Sequence, residues 1–297
     1  MSGLAKKAEW IASVLRRGTP PVLLPLVVAA RARLAWSRAG VREDARAQMR
    51  FLLEHTVPAA DLEARVEEAA RAYVRYQARR GELRWHPRLL THLRVEGLEH
   101  LTSARALGRG VVVNFMHHGY YDGAWPSIAA AGVRCHMVVH PYMVEPDAPL
   151  WIQQHVRVGS ANGGTAVSSA VGAEGLLDLL RRGEVLGIAS DVPGRTPLRF
   201  LGHEVLGSFG AARLAADAGA PVVAMTSEED ERGPVIRLHP PIDPADVTDA
   251  RALIEALFAI QESVQIRWPE ASDLPLSRWG RVEQAAGSPA PAREVAS

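Results

Sequence analysis

The sequence predicts an α/β fold, with a mainly parallel central sheet, helices on both of its faces and a helical segment before it. The first observation is a set of short apolar runs, among them GVVVNF and PVVAMTS, that are separated by stretches of helical periodicity. Strands that alternate with helices of ten or more residues are typical of parallel sheets. The second is that the first 90 residues have helical periodicity throughout.

Composition limits the class of protein. The 297 residues are 47% hydrophobic and 23% charged, which is typical of a soluble globular protein with a substantial core. The single cysteine, Cys135, excludes a disulfide framework and a cysteine-rich metal site, and we expect it to be a small buried hydrophobic residue.

Charge is divided unevenly along the chain. Residues 1–100 carry 18 Lys and Arg against 11 Asp and Glu, and the remainder carries 16 against 22. A basic N-terminal third is compatible with an anionic partner, such as a phospholipid surface, an acidic carrier protein or RNA. Solvated helix faces explain the same division equally well, and nothing in the pattern indicates DNA.

Residues 1–90 are predicted to form a helical segment that packs on the core, with helices at about 4–17, 22–38, 42–55 and 59–80. In the first helix, helical spacing groups four apolar residues, and basic residues occupy other faces: Trp10, Ile11, Val14 and Leu15, with Lys6, Lys7, Arg16 and Arg17. Such a helix either lies on a membrane surface or packs on its own domain.

The longest apolar run, residues 22–30, is too short to cross a bilayer, which takes about 20 residues, and it contains Pro25. It also lacks the small-residue cleavage pattern of a secretory signal. We therefore expect a cytoplasmic protein that is at most peripheral on the inner face of the plasma membrane.

Residues 91–283 are predicted to form the α/β core. Strands are expected at HLRVEG, GVVVNF, RCHMVVH, EVLGIAS and PVVAMTS, and helices at about 97–108, 120–131, 168–181 and 207–218. Residues 284–297 have no hydrophobic period and are predicted to be disordered.

The candidate site is the sequence His117-His118-Gly119-Tyr120-Tyr121-Asp122, which follows the strand GVVVNF. Parallel sheets place their sites beyond the carboxyl ends of strands, and Asp191 follows EVLGIAS at another such end. A histidine beside a carboxylate can take the proton from an attacking hydroxyl or amine. Helical spacing favours His118 with Asp122, whereas a turn at Gly119 would bring His117 to Asp122, so spacing alone leaves either histidine as the base.

No Gly-x-Ser-x-Gly sequence occurs in the chain, so a serine nucleophile on such a turn is not expected. Direct attack by the acceptor substrate therefore fits better than a covalent enzyme intermediate. A purely binding role is a third, less favoured interpretation, because both the histidines and the aspartate are intact.

The His-x4-Asp sequence resembles the motif of the glycerolipid acyltransferase superfamily. Its surroundings are more specifically similar to the bacterial lipid A (lauroyl/myristoyl) and phosphatidylinositol mannoside acyltransferases. Four segments carry this resemblance in order: VEGLEHLTSARALGRGVVV before the motif, then GEVLGIASDVPGR, RFLGHEVLGSFGAARLAADAGAPVV and IRWPEASDLPLSRW after it. The resemblance covers residues 93–280.

The resemblance implies that His117 is the general base and Asp122 its orienting partner. The acyl donor would be a thioester of acyl carrier protein or coenzyme A, backbone amides would stabilise the oxyanion, and no metal or bound cofactor would be needed. Further substrate-binding candidates are His118, His140, Asp191, Gly194 and Arg195. Asp191 and Arg195 could instead pair with each other to order their loop.

The chain departs from the family where relatives place an arginine, because it has Val139-His140-Pro141 there. Two functions therefore stay open. The acceptor is either a lipid or glycolipid at the membrane surface, or a small polar molecule that receives its acyl group from a carrier-bound or RNA-bound donor.

Overall fold

The structure is a computed structural model that describes residues 3–281. Its strands are β1 Arg94–Glu96, β2 Val111–Phe115, β3 His136–Val139, β4 Thr165–Ser168, β5 Val185–Ala189, β6 Pro193–Phe200, β7 His203–Gly207, β8 Val222–Asp230, β9 Gly233–Leu238 and β10 Gly280–Arg281. The predicted tail, 284–297, lies outside the described residues.

The helices are α1 Gly3–Gly18, α2 Leu24–Trp36, α3 Ala39–Leu53, α4 Leu62–Leu83, α5 Leu98–Ala106, α6 Tyr121–Ala130, α7 Leu150–Gly159, α8 Gly172–Arg181, α9 Gly210–Ala218, α10 Ala250–Arg267 and α11 Pro275–Arg278.

The predicted fold class is confirmed. Seven strands form one sheet in the order β1-β9-β8-β2-β5-β3-β4, and every neighbouring pair in it is parallel except β8 and β9. A smaller antiparallel sheet has the order β10-β7-β6. Strand β2 lies between β8 and β5, so the residues that follow β2 and β5 meet at one edge of the sheet.

Strand β2 is buried along its whole length because both faces of the sheet are covered. Val112 packs in a cluster with residues of α3, α4, α8, α9 and α10, whereas Val111 and Val113 pack with residues of α5 and α6. On the second face, Gly187 of β5 leaves room for the indole of Trp125, because a Cβ there would lie 2.3 Å from the ring. This contact seats α6, the helix after the candidate motif, directly on the sheet.

Several elements are absent from the sequence prediction: the β6–β7 hairpin, β4, β9, α7 and α10. Strand β6 has Pro193 and Pro197 and alternates exposed with partly buried positions, so it lacks the continuous apolar pattern of the central strands. Residues Ser169–Val171 form a 3₁₀ turn, so the helix predicted at 168–181 begins at Gly172. Cys135 is buried, as predicted.

Helices α2, α3 and α4 pack on one another and contact the core near its C-terminal segment. Helix α4 lies against Pro269–Ala271, and α3 lies against α11. A side-chain hydrogen bond from Gln77 to the carbonyl oxygen of Ser272, at 3.0 Å, joins α4 to the same segment. The N-terminal segment is thereby brought to the edge of the sheet where β2 and β5 end.

Among residues 3–281, no single helix is long and apolar enough to cross a membrane. The pair Glu9–Gly18 and Pro21–Trp36 meets the length and composition requirement jointly, but the two helices are bent by 102°, which makes this weak support for a span. Several apolar residues of this pair face outward: Trp10 is 61% exposed, Leu15 69% and Val22 80%. The apolar face of α1 therefore does not pack on the core.

Candidate active site

His117 lies just beyond the carboxyl end of β2, where the chain turns towards α6. Gly119 has a φ of +63°, and a Cβ at this position would lie 2.5 Å from the hydroxyl of Ser227. A glycine is therefore required at the turn for both its backbone angle and its close approach to β8. The turn leaves His117 on one side of the loop and sends Tyr121 and Asp122 into the first turn of the helix.

The carboxylate that contacts His117 belongs to Asp191, which directly follows β5. Oδ1 of Asp191 lies 2.8 Å from the ring Nδ1 of His117, and Oδ2 accepts a hydrogen bond of 2.9 Å from the backbone N–H of the same residue. Because both oxygens are engaged by one residue, the imidazole orientation is fixed. The other ring nitrogen, Nε2, has no hydrogen-bond partner within residues 3–281.

Asp122 has different partners from the one expected. Its carboxylate accepts hydrogen bonds of 3.2 and 3.1 Å from Nε and Nη2 of Arg84, and Nδ1 of His155 lies 2.6 Å from Oδ1. The expected His117–Asp122 hydrogen bond is not formed, because Asp122 on the first turn of α6 faces α4 and α7. The pairing predicted from the motif is corrected to His117 with Asp191.

Asp122 is buried, and burial by itself raises the pKa of a carboxyl group. The positive charge of Arg84 and the contact with His155 outweigh burial and hold the pKa of Asp122 well below its ordinary value of 3.8. Asp122 is therefore a permanent anion that joins α4, α6 and α7.

The pKa of His117 is lowered, first by burial and second by the nearby charge of Arg278, while Asp191 opposes both. A histidine with a lowered pKa is neutral at pH 7 and can accept a proton. His117 thus has both the protonation state and the fixed orientation that a general base needs.

His118 faces away from His117. Its Nε2 donates to the carbonyl oxygen of Trp268 at 2.9 Å, its backbone forms a bridge with Ser272, and burial lowers its pKa to about 4. His118 lines a second, smaller cavity of about 330 Å³ together with Glu228 and Arg267. It therefore holds the motif loop to the segment after α10 and does not lie on the wall of the cavity at His117.

The sequence analysis missed a charged cluster centred on Asp273. Its carboxylate pairs with Arg80 of α4 and with Nη2 of Arg278, the latter at 2.5 Å, and it accepts a hydrogen bond from the hydroxyl of Tyr121. Its backbone N–H donates to the carbonyl oxygen of His117 at 2.8 Å. No sequence pattern marks this cluster, because its members lie in α4, α6 and the C-terminal segment.

A cavity of about 800 Å³ opens in front of His117. Its polar wall carries Arg80, Arg84, Arg278, Tyr121 and His155. Much of the remaining wall is apolar and comes from the N-terminal helices and from the ends of β3 and α7, including Leu34, Ala35, Val41, Val74, Val139, Met143 and Ile152. The arrangement suits a substrate with a polar reacting group and a long apolar portion.

Comparison with known proteins assigns the chain to a family. A family model described as bacterial lipid A biosynthesis acyltransferase matches residues 10–271. The chain belongs to this family. It is therefore an acyltransferase.

A solved structure of the 1-acyl-sn-glycerophosphate (LPA) acyltransferase PlsC from Thermotoga maritima is similar over 86% of this chain and 96% of that chain, with 11% sequence identity and a TM-score of 0.40. A search of curated proteins found no match.

Of the three other residues expected at the acyltransferase site, one lies on the cavity wall and two do not. His140, at the end of β3, lies on the cavity wall, and its Nδ1 accepts a weak hydrogen bond from the backbone of Tyr142. Gly194 and Arg195 belong to β6 and are not among the residues that line the cavity. Arg195 is exposed, and the loop's aspartate, Asp191, contacts Arg278 at 3.5 Å and His117 instead of Arg195.

Within the described residues of this acyltransferase, one group of His, Cys and carboxylate side chains has three ligand atoms close enough to share an ion. Glu54, His55 and His203 bring these atoms within 4.8 Å of one another. None of the three lines the cavity at His117, so the group plays no part in the arrangement described above.

Proposed function

We propose that this acyltransferase moves an acyl group from a carrier-bound thioester to a hydroxyl or amine of a lipid or glycolipid acceptor. His117 is the general base, and Asp191 is its orienting partner. The observation that carries the proposal is that Asp191 occupies Nδ1 of His117, whereas Nε2 has no hydrogen-bond partner among residues 3–281 and the residue lines the large cavity.

The step needs no enzyme nucleophile. The acceptor oxygen or nitrogen attacks the thioester carbonyl while its proton passes to Nε2 of His117, and the negative charge of Asp191 stabilises the imidazolium that forms. The tetrahedral oxyanion then collapses, and the carbon–sulfur bond breaks. The thiolate leaves with the proton from His117, which returns the histidine to its neutral state.

The donor is proposed to be an acyl thioester of acyl carrier protein or coenzyme A, with its acyl chain along the apolar wall. That wall is formed largely by α2, α3 and α4. A cavity of this size is within the range of about 300–1,000 Å³ that is usual for small-molecule sites. The basic N-terminal third is the surface on which an acidic carrier would dock.

We further propose reversible attachment to an anionic membrane surface on the cytoplasmic side. The exposed apolar residues of α1, of α2 and of the turn between them, with Trp10, Leu15 and Val22 among them, would enter the interface. Leu34 and Trp151 are exposed and also line the cavity, so an acceptor in that surface would have a short path to His117.

The alternative is acylation of a small polar acceptor, with a carrier-bound or RNA-bound donor. The polar part of the cavity wall, with Arg80, Tyr121 and His155 among its residues, is the observation that favours it, because such a wall suits a polar acceptor. Under this alternative the exposed face of α1 and α2 would have no role in substrate access.

The test is mass spectrometry of products from purified protein with acyl-coenzyme A and acyl carrier protein thioesters of several chain lengths. The acceptors would be a phosphorylated glucosamine disaccharide lipid, a phosphatidylinositol mannoside and a panel of soluble amines and alcohols. The proposal expects an acylated lipid and no acyl group on the protein after incubation with donor alone. A stable mass increase on a core peptide would instead indicate a covalent intermediate.

A further inference from the structure

Arg278 is placed between two carboxylates at the edge of the cavity. Its Nη2 lies 2.5 Å from Oδ2 of Asp273, and its Nε lies 3.5 Å from Oδ2 of Asp191. The oxygen that Arg278 contacts on Asp191 is the one that accepts the backbone N–H of His117. A continuous row of charged contacts therefore runs from Asp273 through Arg278 and Asp191 to His117.

The backbone before Arg278 is built to bring it to this position. Leu274 has a φ of +50°, a left-handed conformation that is strained for a residue with a side chain. Pro275 then begins the short helix α11, whose last residue is Arg278. The left-handed residue reverses the chain, so that Nε of Arg278 donates to the carbonyl oxygen of Asp273, five positions earlier.

Asp273 is itself immobile. It is buried and pairs with Arg80 of α4, and the charges of Arg80 and Arg278 outweigh burial and keep the pKa of Asp273 far below its ordinary range. Its backbone N–H is bonded to His117. Arg278 is thus held by an anchor that is tied to the same loop as the proposed base.

We propose that Arg278, anchored by Asp273, is a positioning residue that holds the carboxylate of Asp191 against His117. This inference rests on the proposed function, because it assigns Arg278 a role through the proposed base and not a contact with substrate. A planar guanidinium can contact two carboxylates in fixed directions at once, which a lysine ammonium does not do.

The charged and titratable groups that face His117 act in opposite directions. From the loop after β5, Asp191 raises the pKa of His117, and from the C-terminal segment Asp273 also raises it. Arg278 lowers it, in the same direction as burial. Tyr121 of α6 packs edge-on against the ring, and its pKa is raised by burial, so it stays neutral.

The sign of the pH effect follows from these contacts. A general base works in its neutral form, so activity is present above the pKa of His117 and is lost as pH falls through it. Removal of the Arg278 charge by itself raises the pKa of His117, whereas displacement of Asp191 from the ring lowers it. The two effects of Arg278→Met on the acid limb of the kcat/KM profile therefore oppose each other. Displacement of Asp191 should lower kcat by about 10²-fold, since a misplacement near 1 Å can cost that much.

The experiment compares Arg278→Met and Arg278→Lys with Arg199→Met, a control at an exposed position of β6. His117 is titrated directly by NMR of histidine-labelled protein without substrate, and thermal unfolding identifies variants that do not fold. We expect Arg278→Met to lower kcat by about 10²-fold and to leave KM unchanged. Arg278→Lys should titrate near wild type but with a reduced kcat, and the control should match wild type in both.

A folded Arg278→Met variant with the kcat of wild type would overturn the inference. So would a raised KM with an unchanged kcat, because that split indicates a residue that binds substrate. If Arg278→Met does not fold, an Arg278→Lys variant with full kcat also overturns it. Failure of the proposed function can be told apart from failure of the inference about Arg278, because the former would appear as full activity in His117→Ala.

Discussion

Asp191 accepts two hydrogen bonds from His117, one from the ring Nδ1 at 2.8 Å and one from the backbone N–H at 2.9 Å. The carboxylate of the His-x4-Asp motif, Asp122, accepts its hydrogen bonds from Arg84, directly after α4, and lies beside His155 of α7. Asp191 and Asp122 therefore have separate roles, which single substitutions can distinguish.

Substitution of Asp191 by Asn should lower kcat by about 10²- to 10⁴-fold, because the imidazole loses the charge that stabilises its protonated form. Asp191 raises the pKa of His117, so the acid limb of the kcat/KM profile should move to lower pH. Steady-state kinetics across the acidic and neutral range measures both effects. An unchanged profile with full kcat would show that Asp191 does not act on the base.

Substitution of Asp122 by Asn should mainly affect stability. It leaves the buried Arg84 without its anion, and breaking a buried pair typically costs about 3–5 kcal/mol. The lowered pKa of Asp122 means that its contribution is complete above the ordinary value of 3.8 and is lost as pH falls towards the folded value. Urea unfolding at pH 7 measures the loss.

Asp122→Asn should retain more kcat per folded molecule than Asp191→Asn. If instead Asp122→Asn unfolds like wild type but has no activity, Asp122 is part of the catalytic machinery, as the motif alone suggested.

His118→Ala should retain most of the activity. The variant removes the hydrogen bond to the carbonyl oxygen of Trp268 and the buried ring, so the free energy of unfolding should fall by about 1–3 kcal/mol. Thermal unfolding and the transfer assay on the same preparation separate the two effects. A folded His118→Ala protein that is as inactive as His117→Ala would mean that the base has been assigned to the wrong histidine.

The chain should sediment with anionic vesicles at low salt and stay in solution with neutral ones. Trp10 and Leu15 supply the apolar contact and Arg17 a basic one, whereas Arg16 pairs with the buried Glu82. Each basic residue near the surface contributes about 1 kcal/mol to the free energy of membrane binding, and this contribution weakens with salt. Removal of residues 1–17 should abolish sedimentation.

A full-length chain that ignores anionic vesicles at low salt would contradict the membrane proposal. The polar acceptor would then be the better interpretation, and mass spectrometry with soluble amines and alcohols would be the assay to extend first.

The sequence was sufficient for the fold class and for the position of His117, because a continuous apolar run that stops at two histidines is a local pattern. It was not sufficient for the partner of His117. Asp191 was recognised as a residue at a strand end, but only the strand order, in which β5 neighbours β2, brings it to His117. Strand order depends on long-range packing that no local period encodes.

The same limit explains why the Asp273 cluster was missed. Arg80 and Asp273 are 193 positions apart, and each taken alone has the pattern of an ordinary charged residue. Burial makes them informative, since a buried ion pair needs close partners to offset the loss of hydration. The left-handed Leu274 likewise has no sequence signal, because leucine is not a residue that favours this conformation.

The most direct test of the account is the rate of acyl transfer by His117→Ala, measured by mass spectrometry of the acylated acceptor beside wild type and His118→Ala. The account predicts that His117→Ala folds like wild type, because this side chain is partly exposed on the cavity wall, and that its rate is lower by about 10²- to 10⁴-fold. A folded His117→Ala protein with a rate near that of wild type would contradict it.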